Sequence, residues 1–185
     1  MTQIISKLSE ISAQYDALFV DLAITLRCGC CGWETRQEPP RNGRQIPDAY
    51  LHVSKAGWED ANLDGIHLEA YVLSPQLRSR AAVVALHCEC GWPCQFRKRF
   101  VELVTERARP IIEEWNKETE GGMTGSWEVK GPTGMSVCEA RVPFGSSPRE
   151  TVDRVTAQLR RLQTLDGLID EVIAHCQCEL KFAAM

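Results

Sequence analysis

The feature that most constrains this chain is its cysteines: nine of them, an odd number, gathered into knots. They stand at 28, 30 and 31, at 88, 90 and 94, and at 176 and 178, with Cys138 alone. A disulfide framework spreads its cysteines so that each bridge staples a different loop, and it serves small exported domains with thin cores. Knots of neighbouring cysteines do not do this. The chain is therefore expected to stand on an ordinary hydrophobic core, with its cysteines kept as reduced thiols or used as metal ligands. Length permits it, since a chain of 185 residues buries about 70% of its unfolded surface. We read residues 1–185 as a single domain carrying two cysteine-rich turns, at 28–33 and 87–94.

The first residues, Met1-Thr2-Gln3-Ile4-Ile5-Ser6-Lys7 with Glu10 and Asp16 behind them, lack the basic start and unbroken apolar run of a signal peptide. Nowhere does an apolar run reach the roughly 18 residues of a membrane helix. The expectation is a soluble, cytoplasmic protein with no membrane partner. A net charge of −4 and a pI near 5.6 argue against a general phosphate-backbone binder, which carries a basic excess. Arg97-Lys98-Arg99 reads as a solvated helix face.

Periodicity then orders the elements. Ile4, Leu8, Ile11, Tyr15 and Leu18 form one helical stripe. Leu18, Val20, Leu22, Ile24, Leu26, Cys28 and Cys30 alternate with more polar neighbours, which predicts a half-buried strand. Pro39-Pro40 and Asn42-Gly43 mark a loop. Residues 50–53, 66–73 and 80–88 read as strands, the last two as a hairpin. A helix follows from Pro93, with Pro110 kinking or dividing it. Residues 127–130 and 135–144 read as a hairpin around Gly131-Pro132-Thr133-Gly134. Ser147-Pro148-Arg149-Glu150 is a capping box opening a final helix of about 24 residues, against a usual 11–12, with its stripe running from Val152 to Val172. The fold class expected is α+β: an antiparallel sheet with N-terminal, central and long C-terminal helices packed on it, in the order α-β-β-β-β-α-β-β-α.

The cysteine knots carry the sharpest functional question. Cys28-Gly29-Cys30-Cys31-Gly32 places two thiols three residues apart at a strand end, able to face one tetrahedral ion. Locally it resembles the knuckle of zinc-ribbon proteins over residues 28–32, which implies a second knuckle elsewhere. Leu86-His87-Cys88-Glu89-Cys90-Gly91-Trp92 echoes the same pattern. The resulting ligand set is Cys28, Cys31, His87 and Cys90, with Cys88, Cys94, His175 and Cys178 as alternates and a structural zinc as the implied ion. Equally, Cys28, Cys88 and Cys138 fall on apolar strand faces, where free cysteine is commonly core filling.

His67-Leu68-Glu69 with Cys90 and Cys94 faintly resembles the H-x-E and P-C-x-x-C motifs of zinc-dependent cytidine deaminases. That resemblance implies histidine and cysteine zinc ligands with Glu69 shuttling protons. The cysteines are one residue too far apart, Glu89 stands where the motif has proline, and His67 and Glu69 fall in a strand where the motif needs a helix start. Cys94 at a helix start has the setting of an activated thiol, yet no histidine partner is evident.

With no complete catalytic constellation, the leading expectation is a non-enzymatic regulatory or protein-interaction module stabilised by structural zinc, with a protein partner or a second copy of itself. The long final helix and the loop tryptophans Trp33, Trp58 and Trp92 read either as packing on the core, the commoner case, or as its candidate contacts. The first alternative is a small zinc- or cysteine-dependent enzyme using the 87–94 cluster. The second is a nucleic-acid binder acting through the Cys/His knuckles.

Overall fold

The computed structural model describes residues 17–24, 26, 32–38, 49–58, 65–89, 94–119, 125–131 and 134–183. Its elements are β1 (Trp33–Glu38), β2 (Ala49–Lys55), β3 (Ile66–Val72), α1 (Ser74–Ser79), β4 (Ala81–Cys88), α2 (Cys94–Thr119), β5 (Trp127–Val129), β6 (Ser136–Pro143), α3 (Pro148–Gln163) and α4 (Asp166–Ala183). The strands form one sheet in the order β1-β2-β3-β4-β6-β5, antiparallel throughout. The fold is α+β, as the periodicity predicts, with four strands before the central helix and a hairpin after it.

Several elements differ from the sequence reading, among them α1, which stands in the expected hairpin loop between β3 and β4. Residues 17–24 and 26 are helical, not the strand expected from the alternation after Leu18. Leu18, Leu22 and Leu26 lie four apart, a spacing that satisfies both a strand and a helix. Side-chain placement decides between them. Leu18, Phe19, Leu22 and Leu26 are buried, whereas Val20 and Ile24 are 44% and 54% exposed. The first strand lies further on, at β1, where a loop was expected. The front of the expected N-terminal stripe, Ile4 to Tyr15, lies outside the described residues.

A further difference is a break in the last helix. Ser147 caps α3 by accepting the Glu150 amide at 3.2 Å, with Pro148 in the first turn as the capping box predicts. At Thr164 and Leu165 the amides bond back to the carbonyls of Arg161 and Leu162, three residues earlier. This tightening closes α3, and Asp166 begins α4. Leu162, Leu165 and Ile169 are all buried, so the apolar stripe crosses the break undisturbed. Pro110, by contrast, lies inside α2 without dividing it.

Strand alternation sorts the sheet into two faces. Leu51 and Val53, Ile66, Leu68, Ala70 and Val72, Ala82, Val84, Leu86 and Cys88, and Cys138, Ala140 and Val142 join the buried side chains of the helices in one core. Trp127 and Trp115 meet in that core with ring centroids 5.4 Å apart, and the Trp127 indole donates to Gln158 Oε1 at 3.0 Å. The opposite face carries different chemistry. Ala81, Val83 and Ala85 are buried there outside the main core, beside three histidines and a glutamate.

Candidate metal centre

The cluster follows from strand register. β2 pairs His52 with Glu69 of β3, and β3 pairs His67 with His87 of β4. His67 and Glu69 are two apart on one strand, so both project to the same side. Four ionisable side chains from three adjacent strands thus share one patch, and all are buried: His52 is 9% exposed, His67 3%, Glu69 4% and His87 5%.

Glu69 is the hub. Its Oε1 accepts from His52 Nε2 at 3.0 Å, and its Oε2 lies 3.0 Å from His87 Nδ1, at ion-pair distance but outside hydrogen-bond geometry. The Ser136 hydroxyl sits 3.0 Å from His87 Nε2. On the other side, Arg36 of β1 donates from Nη2 to His52 Nδ1 at 3.2 Å. A guanidinium can only donate, so Nδ1 of His52 carries no proton and Nε2 holds the one given to Glu69. Tyr71 closes one side with its ring centroid 6.2 Å from that of His87. Burial, with Glu139 and Glu69 nearby, pushes its phenol pKa up to about 12.

His67 is the least satisfied member of this network, in which His87 Nδ1 also lacks a hydrogen bond. Its ring stacks on His52 with centroids 4.3 Å apart and meets His87 edge-on at 5.4 Å. Yet neither Nδ1 nor Nε2 makes a well-formed hydrogen bond, although both atoms are buried and the Gly65 backbone lies beside the ring. Burial, reinforced by His52 and His87, lowers its pKa to about 2. The ring is therefore neutral at physiological pH with a lone pair available, the form in which imidazole binds metals. A buried polar atom without a partner costs about 1–3 kcal/mol, and an occupant that accepts the lone pair removes that cost.

The donor set fits a divalent metal. Ligand atoms of His52, His67 and Glu69 lie within 4.8 Å of one another, as do those of His67, His87 and Glu89. Metal bonds of about 2.0–2.2 Å place two donors on one ion roughly 3 Å apart, the separation already present between His52 Nε2 and Glu69 Oε1. The first set adjoins a cavity of about 170 Å³ lined by Glu34, Thr35, Arg36, His52, Ser54, Ile66 and His67.

Of the four ligands expected from sequence, His87 alone lies among the described residues. Cys28, Cys31 and Cys90 lie outside the described residues. His87 belongs to the histidine cluster, and its neighbour Cys88 points to the opposite, core face of β4, so these two cannot hold the same ion. Cys94 is the first residue of α2. His175 and Cys178 are exposed on α4, with His175 held by Glu179 at 3.0 Å. Sequence reasoning singled out His67-Leu68-Glu69 and placed it in a strand, but missed His52. The available signal was two strands with buried-pattern alternation and histidine on the minority face of each. No family model, curated protein or solved structure matches this chain.

Proposed function

We propose that this protein is a metal-binding module that holds one divalent transition-metal ion through His52, His67 and Glu69. The observation that carries the reading is His67, a buried neutral imidazole with neither nitrogen in a well-formed hydrogen bond, next to a histidine nitrogen and a carboxylate at ligand spacing. Two imidazoles and one carboxylate suit zinc and the later first-row metals rather than calcium or magnesium, which take mostly oxygen donors. In this reading the ion serves the regulatory or interaction role expected from sequence, locking β2 to β3. A second reading, a small metal-dependent enzyme, is favoured by the cavity beside the site. Three protein ligands leave a coordination position for water or substrate, the arrangement of catalytic rather than structural zinc sites.

The test is Co(II) binding to chelator-stripped protein, followed by visible and near-ultraviolet absorption. One ion per chain, with d–d bands but without a thiolate charge-transfer band, and lost in His67→Gln, is the expected result. A spectrum dominated by thiolate charge transfer, unchanged in His67→Gln and lost in a Cys28→Ser/Cys31→Ser variant, would move the metal to the cysteine knots. Turnover of a small substrate by the loaded protein would select the enzyme reading.

A further inference from the structure

Resting on the metal reading above, the geometry points to a further role: we propose that the metal-loaded site binds a small monocarboxylate in the adjoining cavity, clamped between the ion and Arg36. Three observations converge on this ligand.

The first is size. A cavity of about 170 Å³ corresponds to roughly half a dozen waters at about 30 Å³ each, well below the 300–1,000 Å³ of pockets for drug-sized ligands. A small ligand fills it.

The second is charge. The walls place Arg36 and Glu34 on the same side of β1, two residues apart, with the hydroxyl-bearing Ser54 and the metal ligands opposite them. Glu34 offsets Arg36, and Glu69 offsets half of a divalent ion's charge. Among the cavity walls, the ion and Glu69 one net positive charge remains, which a monoanion balances and a dianion exceeds, and Glu89 beside His67 and His87 adds to the bias against a dianion. A guanidinium fork matches a carboxylate.

The third is the hydrogen bond between Arg36 and His52. It requires an unprotonated Nδ1, whereas a metal on Nε2 displaces the proton from that nitrogen, and a neutral imidazole then carries it on Nδ1. Donor would face donor. Arg36, on an edge strand and exposed, turns from His52 into the cavity it already lines. Metal loading thus creates the anion site, and the carboxylate fills the ion's open position.

The experiment is titration of Co(II)-loaded full-length protein with acetate, followed by the visible bands, with inorganic phosphate as the comparison. Expected is a saturable spectral change with acetate, at least tenfold weaker in Arg36→Met protein loaded to the same cobalt occupancy. Phosphate should bind more weakly than acetate, and Glu34→Gln should narrow that gap. Cobalt binding without any response to acetate overturns the proposal and leaves the metal site standing, as does an acetate response unchanged in Arg36→Met. Phosphate binding as tightly as acetate overturns the monoanion preference. Failure to bind cobalt at the histidines removes the metal reading itself.

Discussion

The indole of Trp58 donates to Asp170 Oδ1 at 2.7 Å, fastening the turn after β2 to the last helix across more than half the chain. Trp58 is 1% exposed and meets Trp33 edge-on at 5.1 Å, while Lys55 reaches Oδ2 of the same carboxylate at 2.6 Å. Gly57, at φ 91°, makes the turn that presents the indole, a conformation glycine adopts without strain.

This clasp is expected to matter more through Trp58 than through its ion pair. Trp58→Ala should cost about 3–5 kcal/mol, the range for a fully buried tryptophan, and Asp170→Ala about 1–3 kcal/mol by leaving the indole N–H unpartnered. Burial raises the Asp170 pKa, but hydrogen bonds from Lys55 and Trp58 outweigh it and the net shift is downward. A carboxylate depressed on folding contributes stability above its unfolded pKa and loses it as pH falls through the folded one. Urea unfolding should therefore show the gap between wild type and Asp170→Asn closing below about pH 4. A gap that is constant with pH would deny the ionised carboxylate its role.

His67 gives a pH dependence of the same sign but a substitution effect of the opposite one. Its folded pKa, about 2, is far below the unfolded value of 6.5, so between these values the unfolded chain binds the extra proton. Metal-free protein should lose stability as pH falls below about 6.5, by up to about 1.4 kcal/mol per pH unit from this group. His67→Leu removes both the proton linkage and two nitrogens that lack well-formed hydrogen bonds. We expect it to stabilise the metal-free protein at pH 7 by about 1–3 kcal/mol, raising Tm by a few degrees, while abolishing metal binding. A lower Tm with an unchanged acid slope would mean the ring packs as ordinary core.

The thiols should separate sharply in reactivity. Burial pushes the Cys138 pKa up to about 12, so it presents no thiolate at neutral pH, and Cys88 is equally enclosed and shielded from reagents. Cys178 is exposed on α4. Alkylation at pH 8, read by peptide mass spectrometry, should modify Cys178 in the native protein and Cys88 and Cys138 only after unfolding. Labelling of Cys138 at the rate of Cys178 would contradict the packing of β6.

At the start of α3 the cap is testable on its own. Ser147→Ala should cost about 1 kcal/mol, the usual value for a lost serine cap. The hydroxyl and amide of Ser146, with Arg154, hold the Glu150 pKa down to about 2. Its contribution is present above the ordinary carboxylate range and lost as pH falls toward 2. Thermal unfolding across that interval should show wild type and Glu150→Gln converging.

How much of this was legible in the sequence depended on whether a feature was local. The capping box at Ser147 was legible because every participant lies within four residues. Strands β3 and β4 were legible because their apolar alternation is uninterrupted. The helix at 17–24 was misread because residues four apart satisfy two periods, and only the exposure of Val20 and Ile24 separates them. The break at Thr164 escaped because the buried stripe continues through it. The histidine cluster was half visible, since His67 and Glu69 share a strand, but His52 and His87 enter by cross-strand register, which spacing along one strand does not encode.

β3 is a short text in which alternate letters spell two messages. Its even positions, Ile66, Leu68, Ala70 and Val72, write the core, while His67 and Glu69 write the histidine–carboxylate cluster. A slip of one residue exchanges the messages completely, sending imidazole and carboxylate among the helices and leucine into the cluster. Point substitutions can therefore edit either message alone. An insertion or deletion cannot, so the strand admits gradual revision of its letters and no revision at all of its spacing.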